Sequence, residues 1–220
     1  MMRIGKLLWA AVLGLCAMGM RAQVPNMEVG ASAGIGIGSG ADKVKTSSFS
    51  LFSGYRFDDH LSAGLGLNYA AFSGRTFPSG IDDRVFVLTG KYRTWRPFVY
   101  TTYDFLSNGT FSPFVTGKAG YGFFPDSEME MGTLVFGGFG GSGMGDLDID
   151  AFKKMDHHLG ISGGVGGSLE AGVSRKVGKN GGRVSLSVSY DVQPVTFRFL
   201  SSEEKKVNSS LGLHLGYLFH

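Results

Sequence analysis

The chain has 220 residues, 21 of them basic and 18 acidic, with 36 glycines, 18 phenylalanines and a single cysteine. One cysteine excludes a disulfide scaffold and a cysteine-based zinc site. The glycines follow no Gly-X-Y period, which excludes collagen, and the 18% of charged residues falls below the roughly 25% of a soluble domain.

Residues 1–22 read as a signal peptide, leaving 23–220 as one domain. Arg3 and Lys6 precede an apolar run from Leu7 to Gly19, and Ala22 supplies a small residue for cleavage before Gln23. Leu15 is too large for lipoprotein processing at Cys16. The apolar run is also shorter than the roughly 20 residues of a spanning helix. Removing this leader takes away Arg3, Lys6 and Arg21 and no acid, so basic and acidic residues then balance. The compositional case for a nucleic-acid partner disappears with that charge.

Beyond the leader, alternation with a period of two dominates, as in half-buried strands. Residues 27–38 set Val29, Ala31, Ala33, Ile35 and Ile37 against Glu28, Ser32 and glycines. Residues 47–57 set Phe49, Leu51, Tyr55 and Phe57 against Ser48, Ser50, Gly54 and Arg56, with Phe52 out of pattern. Residues 61–71 alternate from Leu61 through Leu65, Leu67 and Tyr69. Residues 84–106 are apolar on both faces around Pro97, which predicts one long strand with a bulge or register change at the proline. Residues 111–123 and 159–173 alternate again, the second with Ile161 and Val165 on the apolar face and Ser162 and Ser168 on the other. Residues 184–192 and 207–219 complete eight predicted strands. Ten remain open, because 84–94 or 124–157 can supply a further hairpin.

The connections at 57–60, 107–110 and 176–182 are short, and those at 39–46, 73–83, 124–157 and 193–206 are long. Short on one side and long on the other is the signature of a transmembrane β-barrel. The second face of each strand is mostly Gly and Ser, while Lys and Glu gather in the connections. A soluble sandwich or lipocalin-like barrel would need a charged strand exterior. A closed barrel in lipid needs an apolar exterior and satisfies every backbone polar group by closure. Tyr55, Phe57, Tyr69, Tyr103, Phe105, Tyr121, Phe123, Tyr190, Tyr217 and Phe219 fall near predicted strand ends, where aromatic girdles belong.

The alternating Gly/aromatic strands, the segment Ser107-Asn108-Gly109-Thr110-Phe111-Ser112-Pro113-Phe114 and the ending Leu215-Gly216-Tyr217-Leu218-Phe219-His220 resemble the small bacterial outer-membrane β-barrel proteins, OmpA/OmpX-like and of the porin family. The resemblance covers about residues 27–219. It implies an all-β, antiparallel up-and-down barrel in the outer membrane of a Gram-negative cell envelope. It also implies a C-terminal strand, with Tyr217 and Phe219, read by the barrel assembly machinery.

Candidate site residues are the charges on inferred inward faces: Glu28, Arg56, Asp104, Lys118 and Glu170. Buried charges must pair, and an eight-stranded interior is only wide enough for side chains. A salt-bridge plug is therefore expected, with a gate for a narrow solute path as the alternative. The inward glycines are expected to leave room for water. His157 and His158 show no metal spacing, and a His–Ser pairing there would suit a lipid-modifying enzyme. Asp146, Asp148 and Asp150 alternate in a glycine-rich loop but lack the remainder of a calcium-loop pattern. Lys43, Lys45, Arg75, Arg84, Lys153, Lys154, Lys205 and Lys206 fall toward the long connections, where lipopolysaccharide phosphates would lie. Arg175, Lys176, Lys179 and Arg183 fall at the opposite end. The expected role is structural or surface-interacting, in a monomer with no cofactor, metal or enzymatic activity. The alternatives are a channel for small solutes or hydrophobic compounds and an enzyme acting on lipid A or phospholipid.

Overall fold

The computed structural model describes residues 26–38, 44–76, 84–106, 110–124, 127–135, 160–177, 182–199 and 202–219. The strands are β1 (Met27–Gly38), β2 (Lys45–Arg56), β3 (Leu61–Thr76), β4 (Arg84–Asp104), β5 (Phe111–Tyr121), β6 (Ser127–Val135), β7 (Gly160–Gly163), β8 (Val165–Val177), β9 (Gly182–Phe199) and β10 (Ser202–Phe219). Eight of them close an antiparallel barrel in the order β10-β1-β2-β3-β4-β5-β8-β9, with β9 paired back to β10. The two others are extensions beyond the long-connection end: β6 pairs with β4 and β7 with β9. The described parts of the extra hairpin material, 84–94 in β4 and 127–135 in β6, therefore lengthen the barrel instead of adding staves to it.

Closure can be traced residue by residue. Following Cα partners from Arg93 through Ala71, Ser47, Ile35, Leu213, Val188, Ala171 and Val115 returns to β4 at Tyr103, ten residues from the start. At about 3.3 Å per residue and 4.8 Å between strands, that stagger implies a strand tilt of about 41°, inside the usual barrel range. All nine residues in this circuit face outward.

Alternation places Leu, Val, Ile and aromatic side chains on the outer wall. Ile35, Leu65, Val165 and Leu215 each expose 60% or more of their surface. Aromatic pairs ring the wall near the termini: Tyr55–Phe57, Tyr103–Phe105 and Tyr217–Phe219, with ring centroids 4.5 to 5.4 Å apart. Toward the other end lie Tyr69–Trp95 and Tyr121–Phe123, both at 4.9 Å. Such rings suit the interface, where one side of a ring is apolar and the other wet.

Three local expectations are corrected. Pro97 causes no register change: β4 keeps one register with β3 along its whole paired length, and Phe98↔Gly120 and Trp95↔Phe123 share one register with β5. The proline instead leaves a gap in the β4–β5 ladder between Phe98↔Gly120 and Trp95↔Phe123, because it has no N–H to donate there. The connection drawn at 193–206 is mostly strand, because β9 and β10 continue to Phe199 and Ser202. Finally, Ile161 does not share the outward face of Val165. Between the pairs Gly163↔Val195 and Gly167↔Val192 three residues oppose two. This bulge reverses the facing of β7. Ile161 packs inside against the cluster of Val44, Ala70, Phe72 and Tyr92, and Ser162 pairs with Thr196 on the outer side. Pro194 lies on the two-residue side. Gln193 Nε2 donates to the carbonyl oxygens of Gly164 at 3.1 Å and Pro194 at 3.2 Å, and the Gly164 oxygen also accepts from the Gly122 N–H at 3.1 Å.

Candidate functional site

The inward positions of β4 read the lumen from the terminus end upward: Asp104, Thr102, Tyr100, Phe98, Arg96, Thr94 and Tyr92. Each marks a layer.

The first layer is ionic. Arg56 Nε donates to Glu28 Oε1 at 2.5 Å, and its Nη2 to Asp104 Oδ2 at 2.9 Å. Arg183 Nη1 reaches the same Asp104 oxygen at 2.9 Å. Glu28, Asp104 and Arg183 are buried. Arg183 was grouped with Arg175, Lys176 and Lys179 at the short-turn end, and the structure turns it into the lumen. Two cations sharing one carboxylate suit a layer in which each charge must be paired.

Rings form the next layer. Phe52 meets Tyr100 edge-on at 5.4 Å, and Phe98 lies 6.3 Å from Tyr100. A Cβ added to Gly30 would overlap the Phe52 ring, one at Gly54 the Tyr100 hydroxyl, and one at Gly66 the Phe98 ring. The inward glycines are thus seats for side chains from neighbouring strands, more than the water-filled space expected of them. Phe52 keeps the alternation: it faces inward with Ser50 and Gly54.

Mid-depth is polar. Lys118 Nζ donates to Glu170 Oε2 at 2.5 Å and stands 5.7 Å from the centre of the Phe98 ring. Ser187 also donates to Glu170. The five expected lumen charges therefore form two separate groups, Glu28–Arg56–Asp104 and Lys118–Glu170. A third group combines Arg96, Asp191, Ser189 and His214. Arg96 Nη2 donates to Asp191 Oδ1 at 3.2 Å, Ser189 Oγ donates to Asp191 Oδ2 at 2.7 Å, and His214 Nε2 lies 2.9 Å from Ser189 Oγ. Because the serine proton goes to the carboxylate, the imidazole nitrogen facing it is the donor. That arrangement is a hydrogen-bonded chain and not a base beside a nucleophile. The serine stretch in β9 carried the only hint of it, since Asp191 continues the inward face of Ser185, Ser187 and Ser189.

At the far end the lumen is apolar. Val44, Ala70, Phe72 and Tyr92 are buried together, with Phe124 and Ile161 against them. Phe72 stacks on Tyr92 at 4.7 Å with the planes 9° apart, and Asn208 Nδ2 donates to the Tyr92 hydroxyl at 2.6 Å.

Two cavities remain between these layers. One of about 90 Å³ lies among Arg56, Tyr100, Asp104, Lys118 and Arg183. The other, about 40 Å³, lies among Thr94, Arg96, Lys118, Gln193 and His214. Lys118 and Phe98 border both. Ser32 Oγ, Tyr100 Oη and Arg183 Nε have no protein partner beside the first, nor Thr46 Oγ1, Thr94 Oγ1 and Gln193 Oε1 beside the second. Polar cavities of this size hold water, one molecule taking about 30 Å³.

Among the described residues no group of three or more metal-ligating side chains occurs. The leader 1–22, the loop with Asp146, Asp148 and Asp150, and Lys43, Lys153, Lys154, His157, His158, Lys179 and His220 lie outside the described residues. Tyr217 and Phe219 stand on the outer wall, paired with Ala31 and Val29 at the closing seam.

No family model and no curated protein matches the chain. Solved structures do. Neisserial surface protein A is 14% identical, the match covering 89% of this chain and 97% of that one, with a TM-score of 0.51. The outer membrane protein OprG from Pseudomonas aeruginosa is 15% identical over 88% of this chain and 95% of that one, with a TM-score of 0.52. The chain has the fold of the small outer-membrane β-barrel proteins.

Proposed function

We propose that the protein is an integral outer-membrane β-barrel with a structural or surface-interaction role and a plugged lumen. The observation that carries this reading is the inversion of the molecule. Its apolar side chains cover the outside, while the inside holds paired charges. Water cannot solvate such an exterior cheaply, since each Å² of apolar surface costs about 25 cal/mol, whereas hydrocarbon accepts it. The termini and the short turns would face the periplasm and the strand extensions the cell exterior. Partners are then the outer-membrane lipids, lipopolysaccharide among them, and the assembly machinery that meets Tyr217 and Phe219.

Support for a plug comes from the sequence of layers along β4. An ionic layer, a ring layer and an apolar layer lie in series, and the cavities between them have room for about three waters and about one. The test is twofold. The detergent-extracted protein should migrate differently on gels before and after boiling, as a closed barrel does. In planar bilayers it should show no large, stable conductance. Sustained open channels would overturn the plug, and a product soluble without detergent would overturn the membrane reading.

A further inference from the structure

The outer wall is not electrically uniform. On the β2–β3–β4 side, cross-strand registers stack three outward rows: Lys45–Ser73, then Ser47–Ala71–Arg93, then Phe49–Tyr69–Trp95. The last row holds the Tyr69–Trp95 ring pair, at 4.9 Å, where the apolar belt gives way to the interface. The basic rows are one and two outward steps beyond it. Lys45 is exposed and Arg93 half-exposed, and neither has an acidic partner among the described ion pairs. No Asp or Glu is paired with Lys45, Ser47, Ala71, Ser73 or Arg93 in these registers, and Glu128 of β6 stands one step further along, opposite Lys91. The outward positions of β9 and β10 at the same level, Tyr190, Val192, Pro194, Val207 and Ser209, carry no cation, and Lys205 stands on that face nearer the strand end. A depression of about 1000 Å³ opens on the basic side, bordered by Ile35, Ile37, Lys45, Tyr69 and Arg93. The small residues Ser47, Ala71 and Ser73 let it sink between the larger ones.

An unneutralised Lys and Arg above aromatic and aliphatic side chains match a ligand with phosphate above and acyl chains below. Arginine binds phosphate as a planar fork and lysine as a point charge. We infer that this face, centred on Lys45 and Arg93, is a binding site for a phosphorylated, multiply acylated saccharolipid of the outer leaflet. It would seat the phosphate between the two cations and the chains against Ile35, Ile37 and Tyr69. The inference rests on the outer-membrane reading and its orientation, and sharpens it from a general lipid belt to one side of the wall.

Native mass spectrometry of the intact protein, released from neutral detergent, tests the site. The probes are lipid A, phosphatidylglycerol and inorganic phosphate. Lipid A should be retained by the unmodified protein, and Lys45→Ala with Arg93→Ala should weaken retention on the order of thirtyfold, from about 1 kcal/mol for each surface cation. Lys176→Ala, near the other end, should leave it unchanged. Heat-modifiable migration of each variant verifies folding, and Lys45→Arg should restore binding if the double variant folds poorly. Equal retention by the double variant would overturn the site. So would phosphatidylglycerol binding as tightly as lipid A, which would mean a charge belt alone, or inorganic phosphate competing at equal concentration, which would mean a bare anion site. A protein that never enters detergent micelles or bilayers would sink the membrane reading itself, a result distinct from all of these.

Discussion

The two ends of the lumen are closed by opposite chemistry. Near the termini the seal is Glu28, Arg56, Asp104 and Arg183, four charges linked by three short contacts. At the other end it is Val44, Ala70, Phe72 and Tyr92 with no charge among them. The difference shows what each kind of seal requires. An ionic layer has direction: each guanidinium must meet a carboxylate placed by another strand, so β1, β2, β4 and β9 are held in one relative register. An apolar layer tolerates small shifts, since dispersion and area burial have no direction. It suits the end where β6 and β7 extend the wall by pairing with β4 and β9.

The largest effect that would break the comparison is at Arg56. Arg56→Ala removes the cation that Glu28 and Asp104 share, leaving carboxylates in a buried layer. Loss of one member of a buried ion pair costs about 3–5 kcal/mol, less whatever Arg183 recovers at Asp104. The urea midpoint of the micelle-folded barrel measures it. A shift below about 1 kcal/mol would mean that water reaches this layer freely and that the ionic seal is a surface feature. Phe72→Ala at the apolar end should cost about 3 kcal/mol through the cavity and the lost stack on Tyr92. Because the two layers share no partner, the double variant should equal the sum of the singles within about 0.5 kcal/mol. Strong non-additivity would mean that the ends communicate through the wall.

Between the ends, Gly34 gives a smaller effect. A Cβ there would overlap the His214 ring, so Gly34→Ala should push the imidazole off Ser189 and cost about 1–3 kcal/mol by overpacking. His214→Ala should relieve most of that penalty in the double variant. A Gly34→Ala barrel of unchanged stability would show that His214 has free space elsewhere in the lumen.

The outer wall was legible from the sequence because the membrane imposes a rule on every second residue, and β1, β2, β3, β5, β8, β9 and β10 obey it. The lumen was legible only where charge marked it. Glu28, Arg56, Asp104, Lys118 and Glu170 stood out as isolated charges on Gly/Ser faces, yet their pairing into two groups depends on which strands become neighbours after the stagger. Phe52, Phe98 and Tyr100 were hidden, because an inward ring looks like an error of alternation until the glycine beneath it on the next strand is known. Arg183 was hidden by its nearness to Lys176 and Lys179, which made it look like part of a turn. Ile161 was misplaced because parity was carried across Gly163 and Gly164, where three residues face two. Each miss involves a pairing between distant segments, for which a single strand carries no local signal.

The smallest predicted effect concerns neither seal but the turn beneath the ionic one. Asp58 Oδ1 accepts from the backbone N–H of His60 and of Leu61, both at 2.7 Å. His60 in turn places its Nδ1 2.7 Å from the Asp104 carbonyl oxygen, so the turn abuts the strand that carries Asp104. The two N–H donors, that of His60 foremost, hold the Asp58 carboxyl below its ordinary range. A carboxyl with a folded value below its unfolded one adds stability that is present above the unfolded value. It is lost as pH falls through the folded one. Asp58→Asn keeps an acceptor and removes the charge. The unfolding midpoint of the variant should therefore lie slightly below that of the parent at neutral pH and converge on it under acid. A constant Asp58→Asn deficit at every pH would assign the turn's stability to the shape of the side chain and not to its charge.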